Sequence, residues 1–116
     1  MAGYHAKKRL GQNFLKSESV IRRIVETVEP QAGETVIEIG PGRGALTLAL
    51  AGSGARIVAV EFDRDLYGYL NKLARRYDSI EIVNADFLEF EPDERKIPSF
   101  KLAGSLPYNI TSPVIE

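Results

Sequence analysis

Three short runs rich in β-branched residues, Thr35–Ile39 (TVIEI), Arg56–Glu61 (RIVAVE) and Ile80–Val83 (IEIV), alternate with stretches of helical periodicity. This alternation constrains the fold more than any other feature. A helix is expected over 17–28, capped by Ser17, with Val20, Ile21, Ile24, Val25 and Val28 at helical spacing and Pro30 and Gly33 as stops. The stretch GALTLALAGSG predicts a short helix closed by Gly52 and Gly54. Asp65–Tyr77 predicts a second amphipathic helix with Leu66, Tyr69, Leu70, Leu73 and Tyr77 on one face. Phe100–Gly104 (FKLAG) reads as a fourth strand, and the acidic stretch 87–98, bounded by Pro92 and Pro98, as irregular. Strands joined through helices imply parallel pairing, and right-handed crossovers restrict the topology to a doubly wound, Rossmann-like α/β sheet. Sheets of this kind bind ligands at the carboxyl ends of their strands.

The segments after those strands carry the chemistry. After the first comes Glu38-Ile39-Gly40-Pro41-Gly42-Arg43-Gly44-Ala45. Its alternating glycines let the backbone turn sharply and approach a ligand, and the next helix directs its first amides at that ligand. Glu61 follows the second strand, 21 positions beyond Gly40, the spacing at which an acid accepts hydrogen bonds from a ribose diol. Together they indicate an adenosine cofactor and leave two choices. Gly40-x-Gly42-x-x-Ala45 satisfies the dinucleotide fingerprint. Glu38 with Gly40, Gly42 and Gly44 fits better the E-x-G-x-G-x-G loop of S-adenosylmethionine-dependent methyltransferases. Glu38 favours this second choice, because it can orient the loop amides or hold a cofactor amino group, whereas beside a pyrophosphate its charge would repel.

Asn84-Ala85-Asp86-Phe87 follows the third strand. Asp86 either accepts from an adenine amino group or caps a turn, and Phe87 can cover a base. Gly104-Ser105-Leu106-Pro107-Tyr108-Asn109 follows the fourth. It resembles the [N/D/S]-[P/L]-P-[Y/F/W] signature of methyltransferases acting on exocyclic amines of bases. There, a side-chain acceptor and the Pro carbonyl hold the amine while the aromatic ring stacks on the base, which localises the amine lone pair in line with the methyl group.

Composition and charge bound the alternatives. With no cysteine among 116 residues there is no disulfide framework, zinc-thiolate site or thiol nucleophile. One domain is expected at this length. No apolar run approaches the ~18 residues of a membrane span, and the basic N-terminus lacks the apolar stretch of a secretory signal. A cytoplasmic protein with no membrane partner is the expectation. The net charge of −1 conceals an asymmetry. Residues 1–23 hold six bases against one acid, whereas 24–116 hold nine bases against fifteen acids. The basic head suggests a polyanion contact. The lone His5 has no neighbours forming a constellation, and no metal site is expected because the acids stand singly at separate strand ends.

Lys8-Arg9-Leu10-Gly11-Gln12-Asn13-Phe14-Leu15 matches the opening K-x-x-G-Q-[N/H]-[F/L]-L of one family, in order with EIGPGRG, VEFD, NAD and SLPYNI. Over residues 5–116 the chain resembles the N-terminal part of the ribosomal RNA adenine dimethyltransferases, relatives of the erythromycin-resistance methylases. The resemblance implies a four-stranded order 3-2-1-4 and S-adenosylmethionine as cofactor. It implies that Asn13 and Leu15 contact the methionine end of the cofactor and that Gly40 and Gly42 form its floor. Glu61 would hold the ribose, with Phe62 against the adenine, and Asp86 the adenine amino group, with Phe87 beside it. Ser105, Leu106, Pro107 and Tyr108 would form the target-adenine site, Ser105 also bordering the cofactor. The implied reaction is N6,N6-dimethylation of adenines in small-subunit rRNA, within the pre-ribosomal small subunit, with the basic N-terminus near RNA.

Two departures qualify the resemblance. The family has Asn where this chain has Ser105, a shorter acceptor without a planar carbonyl, and weakened methyl transfer is expected. Family members also continue well beyond a segment such as Ser112-Pro113, which reads as a helix start. The chain is therefore expected to be a fragment, with 1–16 as a basic segment carrying the GQNFL motif and 17–116 as the first part of the catalytic domain. Self-association through an exposed fourth strand or by segment exchange is expected. Two other functions stay open: a module binding S-adenosylmethionine or RNA without turnover, and an NAD-dependent oxidoreductase.

Overall fold

A computed structural model describes residues 18–92, 97 and 99–104. The elements run α1 (Glu18–Val28), β1 (Thr35–Ile39), α2 (Ala45–Ala51), β2 (Arg56–Glu61), α3 (Arg64–Ala74), β3 (Ile80–Asn84), a 3-10 turn (Phe87–Glu89) and β4 (Lys101–Gly104). The four strands are parallel in the order β3-β2-β1-β4, as the resemblance implied. The connection from β3 to β4 crosses from one edge of the sheet to the other, which puts the switch point between β1 and β4.

Period-two alternation divides each strand between two apolar layers. Val36, Ile57, Ala59, Ile80, Ile82 and Ala103 face all three helices, packing with Ile24 and Val28 of α1, Leu46 and Leu50 of α2, and Leu70 and Ala74 of α3. Ile37, Val58, Val60 and Val83 face the other way, against Phe90 and Ile97. The stretch read as irregular is therefore also structural: its apolar residues cover the second face of the sheet.

Helix α1 ends where Glu29 adopts φ 49, with buried Pro30 behind it. Its proposed cap Ser17 lies outside the described residues. Lys101 ties β4 to this corner, donating to the Glu29 carbonyl (2.8 Å) and pairing with Glu34 (3.0 Å). Helix α3 departs from expectation at its ends and in phase. It starts one residue early, at Arg64, because Asp63 caps it by accepting from the amides of Asp65 (2.8 Å) and Leu66 (3.1 Å). It ends at Ala74, so Tyr77 falls beyond it. Tyr69 and Tyr77 are exposed, and Tyr67 packs on the core with Leu66 and Leu70 instead. The helical phase set by Leu66, Leu70 and Ala74 turns position 69 to solvent.

The third glycine of the turn sets how closely α3 approaches. Gly44 has φ +93, and a Cβ there would meet Leu73 Cδ2 at 2.9 Å and Leu70 Cδ2 at 3.1 Å. The left-handed backbone there strains any side chain, and a Cβ would also have to displace the ends of the Leu73 and Leu70 side chains.

Candidate functional site

The carboxyl ends of β1, β2 and β3 lie side by side along one edge of the sheet. Glu38 pairs with Ala59, Ile39 with Val60, and Glu61 with Asn84. The Gly turn leaves β1 here, with Gly40 at φ 63 and Gly42 at φ 61. The Gly40 amide donates to the Val60 carbonyl (3.1 Å) and the Gly44 amide to the Pro41 carbonyl (3.0 Å), so the turn is held against β2. Gly44 caps α2 without a side-chain hydrogen bond.

Glu61 ends β2 almost fully buried, and its Oε2 accepts from the Asp63 amide at 2.9 Å. The next residue, Phe62, is 74% exposed. An open cleft of about 410 Å³ runs along Glu61, Phe62, Asp63, Arg64 and Asp65. A buried, oriented acid beside an outward-facing aromatic ring can accept hydrogen bonds from a polar ligand and cover its flat part.

Asp86 follows β3 and adopts the capping role: its Oδ1 accepts from the Leu88 amide at 3.0 Å, closing the 3-10 turn. Phe87 stacks on Phe90 with ring centroids 6.4 Å apart, joining the second apolar layer. Gly40, Gly42, Glu61, Phe62, Asp86 and Phe87 thus gather at one edge. Asn13, Leu15, Ser105, Leu106, Pro107 and Tyr108 lie outside the described residues, as do His5 and the Lys8–Leu15 motif. Strand β4 ends at Gly104, in register with Ile39 one residue before the Gly turn.

Two residues acquire roles that the sequence reading did not assign. Asn84 donates from Nδ2 to the carbonyls of Glu61 (2.9 Å) and Phe62 (3.2 Å), fastening the exit of β2. Its only sequence signal was its place at a strand end. Thr47 on α2 donates to Glu38 Oε1 at 2.5 Å, beneath the Gly turn. Glu38 is fully buried, and burial pushes its carboxyl up to about 7. The Thr47 hydrogen bond pulls it down, and the nearby Glu61 charge raises it further. The described residues contain no group of His, Cys, Asp and Glu able to hold a metal ion, and no helix long and apolar enough to cross a membrane.

The family model "Ribosomal RNA adenine dimethylase" matches residues 3–116. The chain is 44% identical to ribosomal RNA small subunit methyltransferase A of Hahella chejuensis, over 97% of its own length and 42% of that relative. It thus spans less than half the length of the curated relatives it matches. Among solved structures, it is similar to the 23S rRNA methyltransferase ErmE, with a TM-score of 0.73 and 39% identity over 84% of this chain and 39% of that one. It is also similar to an RNA methyltransferase from Salinibacter ruber solved with S-adenosyl-L-homocysteine, with a TM-score of 0.61 and 26% identity over 68% of this chain and 54% of that one.

Proposed function

The chain belongs to the ribosomal RNA adenine dimethylase family, and on that premise we propose that it is the cofactor-binding part of an enzyme that dimethylates adenine N6 in small-subunit rRNA, using S-adenosylmethionine. The observation that carries this reading is Glu61: a buried carboxylate, aimed by the Asp63 amide, at the mouth of a cleft beside the exposed ring of Phe62.

The residues present fit that cofactor. The acids nearest the Gly turn, Glu38 and Glu61, are both buried, an arrangement that favours a ligand bearing positive charge over a diphosphate. When bound, S-adenosylmethionine supplies an electrophilic methyl group on a sulfonium. Glu61 accepts the ribose hydroxyls, Phe62 covers the adenine, and Asp86 with Phe87 borders its amino edge. Gly40 and Gly42 form the floor, where a side chain would intrude. Asn13 and Leu15 hold the methionine end. Ser105, with the backbone at Leu106 and Pro107, accepts from the target amine, and Tyr108 stacks on the target base. These acceptors orient the nitrogen lone pair toward the methyl group, and no strong base is needed, because the nitrogen becomes acidic only as it gains the methyl.

Residues 1–16 form a basic segment facing rRNA, and 17–116 the first part of the catalytic domain. A cytoplasmic site of action, on the pre-ribosomal small subunit, goes with that substrate. Strand β4 pairs on one side with β1 and has no other strand partner among the described residues. Pairing of this edge, or exchange of the segment after it, links two copies of the chain. A monomer mass independent of concentration in sedimentation would sink the self-association.

Calorimetry tests the cofactor site: binding of S-adenosylhomocysteine is expected, with no binding of NAD. Glu61→Ala should weaken it roughly 10- to 100-fold, since a hydrogen bond to a charged group contributes about 1.5–3 kcal/mol. Unchanged affinity in Glu61→Ala, or preference for NAD, would overturn the reading. Methyl transfer to undermethylated small ribosomal subunits separates an active enzyme from a binding module. Ser105→Asn is expected to transfer faster than the chain with Ser105.

A further inference from the structure

Glu38 sits where a carboxyl is costly. Alternation along β1 puts it on the helix-covered face with Val36, in a row whose neighbours across the sheet are Ala59 on β2 and Ala103 on β4, with Ile82 beyond Ala59. The two alanines leave lateral room for the longer acid between them. Its Oε1 accepts from Thr47 Oγ1, while Oε2 is buried with no hydrogen-bond partner among the described residues. An ionised carboxylate with an unsatisfied buried oxygen is expensive, and an apolar side chain of similar size would pack here at less cost. A neutral acid lowers that cost.

The surroundings favour the neutral form. Among the described residues, the charged group acting on Glu38 is Glu61, at the end of the adjacent strand, and its negative charge opposes ionisation of Glu38. Lys101 on β4 points to the same face, but at the opposite end of the sheet, where it is engaged by Glu34 and the Glu29 carbonyl. Arg43 of the Gly turn is exposed. On α2, Thr47 supplies a hydroxyl and no charge. Helices α1 and α3 contribute apolar side chains to this layer. Burial pushes the Glu38 carboxyl up to about 7, within reach of ordinary solution pH.

We propose that Glu38 is a charge-sensing, specificity-determining residue of the strand-end site: it carries a proton in the ligand-free protein and releases it when a cationic ligand binds against the Gly turn. This rests on the cofactor reading above and deepens it. A positive charge just above the turn acts on Glu38 through a low-dielectric layer and favours its ionised form. The O–H bond of the acid breaks, the proton passes to buffer, and no other bond changes. The site then distinguishes ligands by charge. A sulfonium ligand gains an opposite charge beneath it, whereas the same molecule as a neutral thioether gains less. Below about pH 7 the cationic ligand must displace the proton, so its affinity rises with pH and levels off once Glu38 is already ionised.

The test is calorimetry of the 116-residue chain at about pH 6.5, in two buffers of different ionisation enthalpy. It compares S-adenosylmethionine with S-adenosylhomocysteine, in the wild type and in Glu38→Gln. The wild type should release more protons with the sulfonium ligand than Glu38→Gln does, and the ligand's own amine titration cancels in that difference. Preference for the sulfonium ligand should rise several-fold between about pH 6 and 8 in the wild type and stay flat in Glu38→Gln. Infrared difference spectra should show a carboxylic acid C=O band lost on binding in the wild type. Should Glu38→Gln fail to fold, Thr47→Val serves, because loss of the hydroxyl raises the Glu38 carboxyl further and moves the midpoint of the affinity profile to higher pH. Equal proton release in wild type and Glu38→Gln, an unmoved midpoint in Thr47→Val, or no acid band in the free protein would each overturn the proposal while leaving the site reading intact. Absence of binding by either ligand would overturn the site reading and this proposal together.

Discussion

Asn84 reaches across from the end of β3 and donates from its side-chain amide to the Glu61 carbonyl at 2.9 Å. The same amide also reaches the Phe62 carbonyl at 3.2 Å. One side chain thus holds the backbone on which both the buried acid and the exposed ring of the cleft are mounted. Replacing it should unfasten that backbone without touching the ligand. Asn84→Ala is expected to cost about 1 kcal/mol of stability, the net worth of such a hydrogen bond, and to weaken S-adenosylhomocysteine binding several-fold. Urea unfolding and calorimetry measure the two effects. Unchanged affinity would show that Glu61 and Phe62 keep their places without it.

Two glycines should respond in opposite directions to the same change. Gly44→Ala forces a left-handed residue, costing about 1–2 kcal/mol, and its methyl must push aside the ends of the Leu73 and Leu70 side chains. Gly68 lies inside α3, and a Cβ there meets nothing within 4 Å. Gly68→Ala should therefore stabilise the chain by about 0.5–1 kcal/mol, the helix-propensity difference. Denaturant midpoints of the two variants check the pair.

Stability should fall as pH rises through the titration of Glu38. Its folded carboxyl is raised from the ordinary 4.5 to about 7, so the folded state binds this proton more tightly than the unfolded chain does. The stabilising effect of the proton is fully present below about 4.5, declines between about 4.5 and 7, and is gone above. The linked difference is on the order of 3 kcal/mol at 1.36 kcal/mol per unit. Urea midpoints measured across that range should show the decline in the wild type and lose it in Glu38→Gln.

Lys101 controls a second carboxyl in the opposite sense. Its hydrogen bond to Glu34 holds that carboxyl below the usual range, against a smaller opposing effect of desolvation, and the Gln31 amide adds to the lowering. Lys101→Met should return the Glu34 titration upward, as followed by side-chain NMR. The Glu29 carbonyl also loses its Lys101 donor, a hydrogen bond contributing on the order of 1 kcal/mol. A Glu34 titration unmoved in Lys101→Met would show that the Gln31 amide alone sets it.

Strand and helix alternation was legible because it rests on local periodicity, and the resemblance supplied the order of the strands. The Gly turn and Glu61 were legible for the same reason: a glycine-rich strand exit and an acid one strand later are spacings along the chain. Tyr69 and Tyr77 read as buried because Leu66, Tyr69, Leu70, Leu73 and Tyr77 lie within one broad helical stripe, yet α3 stops at Ala74, before Tyr77, and turns Tyr69 outward. Only contact with the sheet selects Tyr67 over Tyr69 for burial. Asp86 caps the turn after β3 through Oδ1, a contact that the backbone path, and not the residue's type, decides.

What the sequence determined by itself was the set of elements, their parallel pairing and the edge of the sheet that carries the Gly turn, Glu61 and Asp86, since each follows from residue types at short separations. What only the tertiary structure decided was which groups meet across those elements. Register sets Glu38 between Ala59 and Ala103, and helix packing brings Thr47 onto its carboxyl. The β2–β3 pairing brings Asn84 to Glu61, and the approach of α3 closes over Gly44. The physical reason is that hydrogen bonds and desolvation act over a few ångströms of space, whatever the distance along the chain. A glutamate in a β-branched run therefore becomes a proton-holding acid only when the sheet and helices seal around it.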